Sequence, residues 1–128
     1  MRVLIDTHAF LWWDLDDARL SERAAELMAD GSNDVVVSAG SIWEVAIKAT
    51  NGRLDLPADL ERYVSDRVRR YRWSVLPIDG RHAVRAATLP RIHDDPFDRI
   101  LVAQAQLESI AIVTTDAAIT RYDVETIW

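Results

Sequence analysis

The amino-acid sequence predicts an α/β fold in three layers, with helices on both faces of a central parallel sheet of four to five strands. Two observations carry this. Short apolar runs rich in β-branched residues alternate along the chain with segments whose apolar residues recur at helical spacing. No Asn-Gly type hairpin turn joins one strand-like run to the next, so the strands are expected to run parallel, connected through helices.

The first strand is read at Arg2 to Ile5, an apolar run that ends in Asp6, and the second at Val35-Val36-Val37, which ends at Ser38. Between them Leu20, Ala24, Leu27 and Met28 repeat at helical spacing behind Ser21, with Gly31 as the stop. That order is strand, helix, strand. A helix marked by Ile42, Val45, Ala46 and Ala49 follows, starting near Ser41 and ending at Asn51-Gly52. Pro57 is expected to open a further helix carrying Leu60, Val64 and Val68. Trp73 to Ile78 reads as a third strand, and Ala83, Val84, Ala87 and Leu89 as a helix stopped by Pro90. Asp95-Pro96 starts a helix with Ile100, Leu101, Ala105 and Leu107; strands at Ala111 to Thr114 and near Val124 to Ile127 complete the pattern.

With 128 residues the chain can bury roughly two-thirds of the surface its unfolded form exposes. One domain over residues 1–128 is therefore expected, without internal repeat or linker. No apolar run is long enough to span a bilayer, and Val3-Leu4-Ile5 opens as a strand rather than a signal peptide, so a cytoplasmic protein without a membrane partner is expected. There is no cysteine, which excludes thiol catalysis and thiolate metal sites and leaves oxygen or imidazole as the available ligands.

A net charge of −6 argues against a passive nucleic-acid binder, which would gain its affinity by neutralising phosphates with Lys and Arg. An enzyme that reaches phosphate through a bound cation escapes that objection. Lys48 is the only lysine, and Arg62, Arg67, Arg69, Arg70 and Arg72 crowd one segment, ordinarily the mark of a solvated helix face.

The chemistry is expected from four acids. Asp6 follows the first strand, Glu44 lies in the first turn after the second, Asp98 in the first turn after Pro96, and Asp116 after the strand ending at Thr114. In a parallel sheet such positions converge at the carboxyl edge, where ligand sites form. Carboxylates gathered without basic partners repel one another, and a hard divalent cation relieves that repulsion, which points to Mg²⁺ or Mn²⁺ rather than Zn²⁺. Each acid also has a capping explanation. Asp95 before Pro96 is an N-cap signal that Asp98 would reinforce through the helix dipole, and Ser41-Ile42-Trp43-Glu44 has the form of a capping box. Asp6 and Asp116 can cap short helices behind them.

The stretches Leu4-Ile5-Asp6-Thr7-His8, Ser38 to Lys48, His93 to Ala105 and Val113-Thr114-Thr115-Asp116 together resemble the four acidic motifs of the PIN-domain family, in its bacterial VapC toxin branch. The likeness runs the length of the chain in the family's order and spacing. It implies a PIN-like fold and a metal-dependent endoribonuclease with Asp6, Glu44 and Asp98 as core ligands and Asp116 as a fourth acid that tunes or completes the site. Asp98 is preferred to Asp95 because the run Arg99 to Ala105 follows it; Asp95 is placed around the ligands. Thr7 and Thr115 flank two of the acids, and their hydroxyls are read either as orienting a carboxylate or bound water or as ordinary helix-start groups. The resemblance also implies an RNA substrate, a VapB-like antitoxin as partner and a homodimer.

His8, His82 and His93 are left out of the site, since no acid stands at metal-ligand spacing to them. Trp43 and the tandem Trp12-Trp13 offer faces for base stacking, with an interface role favoured for the pair. A phospho-acceptor domain would need adjacent acids after the first strand and a lysine after the last, and a haloacid-type phosphatase an aspartate where His8 stands. The remaining alternative is a catalytically idle module that keeps the fold and a partner-binding face.

Overall fold

A computed structural model describes residues 1–128. The elements in order are β1 (Arg2–Ile5), α1 (Thr7–Asp14), α2 (Glu22–Ala29), β2 (Asp34–Ser38), α3 (Ala39–Thr50), α4 (Leu60–Tyr71), β3 (Ser74–Leu76), α5 (Gly80–Thr88), α6 (Pro96–Glu108), β4 (Ala111–Val113), a 3₁₀ turn at Ile119–Arg121, and β5 (Thr126–Ile127). All strand pairs are parallel, in the spatial order β3-β2-β1-β4-β5. The expected parallel sheet with helices on both faces is present.

β1 occupies the centre because Val3, Leu4 and Ile5 are apolar on both faces and have no exposed surface. Alternation along the strands divides the core. Val3, Ile5, Val35, Val37 and Val113 face Ala9, Phe10, Met28, Val45 and Tyr63, whereas Leu4, Val36 and Ile112 face Leu101, Val102, Ala105 and Ile119. The first set packs α1 to α4 on one side of the sheet and the second packs α6 on the other, giving three layers.

The strand order reverses beside β1: successive strands step from β1 to β2 to β3, and the chain then returns to lay β4 on the opposite edge of β1. A crevice opens at such a switch point, beyond the carboxyl ends of the two strands. Asp6 and Asp116 follow β1 and β4.

Several boundaries differ from expectation. Two helices, not one, join β1 to β2: α1 is apolar along most of its surface, so its sequence lacks the one-sided periodicity that marks α2. α3 begins at Ala39, because β2 runs straight into it and the Ser38 hydroxyl accepts the Gly40 N–H at 3.0 Å. The Ser41–Glu44 capping box is therefore absent, and Ser41 is a buried residue inside the helix. α4 starts at Leu60 rather than Pro57, since Asp59 accepts the Arg62 N–H at 3.0 Å as the N-cap. Its arginines do not all face solvent, because Arg67 pairs with Asp14 at 2.6 Å.

The tandem tryptophans also separate. Trp13 packs among Tyr71 and Trp73 at the edge of the core, while Trp12 lies against Trp128 with Arg19 over its ring. Gly40 permits the close approach of α3 to α6: a Cβ there would stand 3.1 Å from Ile100 Cγ2 and 3.3 Å from Ser38 Oγ. No helix is long and apolar enough to cross a membrane.

Candidate active site

Asp6 is the N-cap of α1, forced there because β1 ends at Ile5 and the helix begins at Thr7. Its Oδ1 accepts the Ala9 N–H at 2.7 Å, and its Oδ2 accepts the Thr114 hydroxyl at 2.5 Å. Thr114 also accepts, through the same oxygen, the Asp116 backbone N–H at 2.9 Å. One buried hydroxyl therefore couples the ends of β1 and β4. Asp116 accepts the N–H groups of Ala118 and Ile119 at 2.8 and 3.2 Å, which curls the chain into the 3₁₀ turn.

Asp98 stands in the first turn of α6, whose N-cap Asp95 accepts the backbone N–H groups of Phe97 and Asp98 at 2.9 and 3.3 Å. The Asp98 Oδ2 lies 3.0 Å from His93 Nε2. Glu44 falls in the second turn of α3, not the first, as a consequence of the earlier helix start. It pairs with Lys48 at 3.2 Å, one turn further along.

The electrostatics join three of the four acids. Burial pushes the Asp6 carboxyl above its ordinary range; the bonds from Thr114 and Ala9 and the charge of His8 pull the other way, and Asp116 adds to the rise. Asp98 is pushed up to about 6, mainly by burial, with Asp95 and Asp116 adding to the rise and the His93 bond opposing it. Asp116 is thus the negative neighbour common to both. The Glu44 carboxylate is instead held by a cation of its own helix. As the side chains stand, no three carboxylate or imidazole groups close around a single point that could hold an ion.

Of the three residues expected around the acids, Asp95 caps α6 beneath Asp98. Thr7 is buried and its hydroxyl has no hydrogen-bond partner, while Thr115 is exposed. The hydroxyl that orients a carboxylate belongs to Thr114, the neighbour of the expected Thr115 within the same motif. His93 was likewise passed over, although His93 and Asp98 lie within one short segment of the sequence. The other two histidines stay outside: the buried His82 closes a capping box with Asp79, and His8 stacks near Trp12. Trp43 is 61% exposed and meets Phe97 edge-on, each of them immediately preceding a candidate acid.

The model of the PIN domain family matches residues 3–125. The chain is similar to Ribonuclease VapC22 of Mycobacterium tuberculosis strain H37Rv, with 29% identity over 115 residues, covering 89% of this chain and 86% of that protein. Its fold matches that in the crystal structure of VapBC2 from Rickettsia felis bound to a promoter DNA fragment, with TM-score 0.71, 13% identity, and coverage of 99% and 98% of the two chains. It also matches a toxin–antitoxin complex from Klebsiella pneumoniae, with TM-score 0.67, 18% identity, and coverage of 98% and 96%. With β1 and β4 carrying Asp6 and Asp116 into the crevice between them, and the family's model matched over residues 3–125, this chain is a member of the PIN-domain family.

Proposed function

We propose that this protein is a metal-dependent endoribonuclease that hydrolyses phosphodiester bonds in RNA and acts as the toxin of a VapBC-like toxin–antitoxin pair. The observation that carries the reading is the arrangement of Asp6, Asp98 and Asp116. Asp116 raises the proton affinity of both other carboxyls, and neither Asp6 nor Asp116 forms a salt bridge. The similarity to Ribonuclease VapC22 supports the same activity.

The donor set suits a hard divalent cation, Mg²⁺ or Mn²⁺: it offers carboxylate oxygens, no thiolate, and a buried carboxyl at Asp6 that Asp116 pushes further up. Asp6, Asp98 and Asp116 would hold the ion, joined by Glu44 once its carboxylate exchanges Lys48 for metal. Such an ion supplies a bound water of lowered pKa and charge stabilisation at the departing oxygen. The chain's own part is positional. Thr114 fixes the Asp6 carboxylate, Asp95 caps the helix that presents Asp98, and Lys48 holds Glu44 and offers the one lysine ammonium of the chain to a phosphate oxygen. Thr7, with its unpaired buried hydroxyl beside Asp6, is available to a bound water, and Thr115 is exposed where substrate would pass.

Further parts of the reading are an RNA substrate, a small VapB-like antitoxin that blocks the acidic crevice, a homodimeric state and a cytoplasmic location. The complexes of similar fold support the antitoxin partner. The experiment is cleavage of RNA by the purified protein with Mg²⁺ or Mn²⁺ and with excess chelator, beside growth on expression with and without the neighbouring antitoxin gene. Cleavage only with metal, and arrested growth relieved by the antitoxin, are the expected results. Undiminished cleavage in chelator would remove the metal mechanism; unimpaired growth with no cleavage would leave an idle binding module.

A further inference from the structure

Four side chains from two parts of the sequence form a continuous hydrogen-bonded line that ends on Asp98. Arg99, in the first turn of α6, spreads its guanidinium over the end of α5 and the loop behind it. Its Nη2 donates to the carbonyls of Ala86 and Leu89 at 2.9 and 3.1 Å, and its Nη1 donates to that of Pro90 at 2.9 Å and to the Tyr122 hydroxyl oxygen at 3.1 Å. The buried Tyr122 hydroxyl lies 2.7 Å from His93 Nδ1, and His93 Nε2 lies 3.0 Å from Asp98 Oδ2.

The polarity of this line follows from its first member. A guanidinium has only N–H donors, so the Tyr122 oxygen accepts from Arg99, which leaves its own proton free to be donated to His93 Nδ1. An imidazole that accepts at Nδ1 carries its proton at Nε2, and that proton is donated to Asp98. We infer that Tyr122, held by Arg99, directs its proton to His93 Nδ1 and so fixes His93 as the Nε2–H tautomer, and that His93 is a positioning residue which occupies Oδ2 of Asp98 and leaves Oδ1 as the oxygen available to a divalent cation.

No feature of the fold requires this polarity. Arg99 satisfies three carbonyls at the end of α5 without Tyr122, and α6 is already capped by Asp95. What the line adds is a fixed direction for a carboxylate on the first turn of α6, as outer hydrogen bonds do for ligands elsewhere. The purpose assigned to His93 rests on the metal site proposed above, whereas the hydrogen-bonded line stands without it.

The test uses the full chain in two measurements. Long-range ¹H–¹⁵N NMR in chelator, with His93 assigned through His93→Gln, is expected to show Nδ1 unprotonated and Nε2 protonated in the parent, and mixed tautomers in Tyr122→Phe. A parent His93 protonated at Nδ1 overturns the inference. Mn²⁺ affinity is then read by water-proton relaxation. His93→Leu and Tyr122→Phe are expected to bind Mn²⁺ about tenfold more weakly, and His93→Gln, whose amide donates from near the Nε2 position, within about twofold of the parent. KM for RNA should stay unchanged in all three. Parental Mn²⁺ affinity in His93→Leu overturns the role. If that variant does not fold, Tyr122→Phe, which loses a single oxygen, carries the same comparison. A parent that binds no Mn²⁺ at all defeats the metal reading itself, and does so without reference to any variant.

Discussion

Thr114 donates its hydroxyl to Asp6 at 2.5 Å while accepting the backbone N–H of Asp116 at 2.9 Å, so a single buried oxygen spans the two strands at the switch point. Thr114→Val keeps the shape and removes both bonds. The Asp6 carboxylate, already disfavoured by burial, then loses a donor, and the Asp116 N–H loses its acceptor. The expected result is a loss of about 1–3 kcal/mol in denaturant unfolding at neutral pH together with a strong loss of metal-dependent cleavage. Thr114→Ser should retain both properties. Equal stability of the Val and Ser variants would show that the bridge contributes nothing.

Asp14 provides a contrast within the same chain. It accepts from Arg67 Nε at 2.6 Å, from Tyr71 at 2.7 Å and from Tyr63, tying α1 to α4, and its side chain is 5% exposed. An acid so fully supplied with donors has no need of a metal. Asp14→Asn should cost about 2–4 kcal/mol by leaving Arg67 without its counter-charge, yet leave the folded protein's Mn²⁺ affinity unchanged. Titration of the folded variant with Mn²⁺ checks this, and weakened binding would mean that the two acid groups are linked.

The part of the site that the sequence made legible is the part set by topology. An acid directly after an apolar run, as with Asp6 and Asp116, has little freedom about where it lies once the strands are parallel. Glu44 illustrates the limit. Ser38 and Ser41 both precede it within one turn or two, and the capping-box pattern selects the second; only the direct passage of β2 into α3 makes Ser38 the cap and moves Glu44 into the second turn. Thr114 and Thr115 pose the same difficulty, because neighbouring residues leaving a strand face opposite ways and the pattern does not say which faces inward. His93 was missed for another reason: its second partner, Tyr122, is 29 residues away, and such pairing has no local signature.

Lys48 competes with metal for Glu44. Lys48→Met should change stability by no more than about 1 kcal/mol, as for other helical pairs one turn apart, and should tighten Mn²⁺ binding by releasing the carboxylate. Glu44→Gln should weaken it. Calorimetric titration of the two variants separates the roles, and equal affinities in both would place Glu44 outside the metal site.

Asp98 makes stability depend on pH in metal-free buffer. Its carboxyl titrates near about 6 in the folded chain against an ordinary 3.8, so the folded state holds the proton more tightly. Stability contributed by this group is present below about pH 4, declines as pH rises from there to about 6, and is lost above, by at most about 3 kcal/mol. Unfolding curves for Asp98→Asn should lack this component. An unaltered pH profile in that variant would mean that Asp98 titrates normally.

The most direct test compares the thermal melting of the parent and Asp98→Asn at neutral pH, in chelator and in Mg²⁺, with RNA cleavage assayed on the same preparations. Asparagine keeps the hydrogen bond from His93 and removes a buried charge that Asp95 and Asp116 repel, so the variant should melt higher in chelator by about 3–5 °C, which corresponds to about 1 kcal/mol. Mg²⁺ should raise the melting temperature of the parent and not that of the variant, and the variant should not cleave RNA. Identical melting in both buffers with cleavage retained would contradict the account, since Asp98 would then be an ordinary first-turn acid of α6 and the crevice would have lost its metal chemistry.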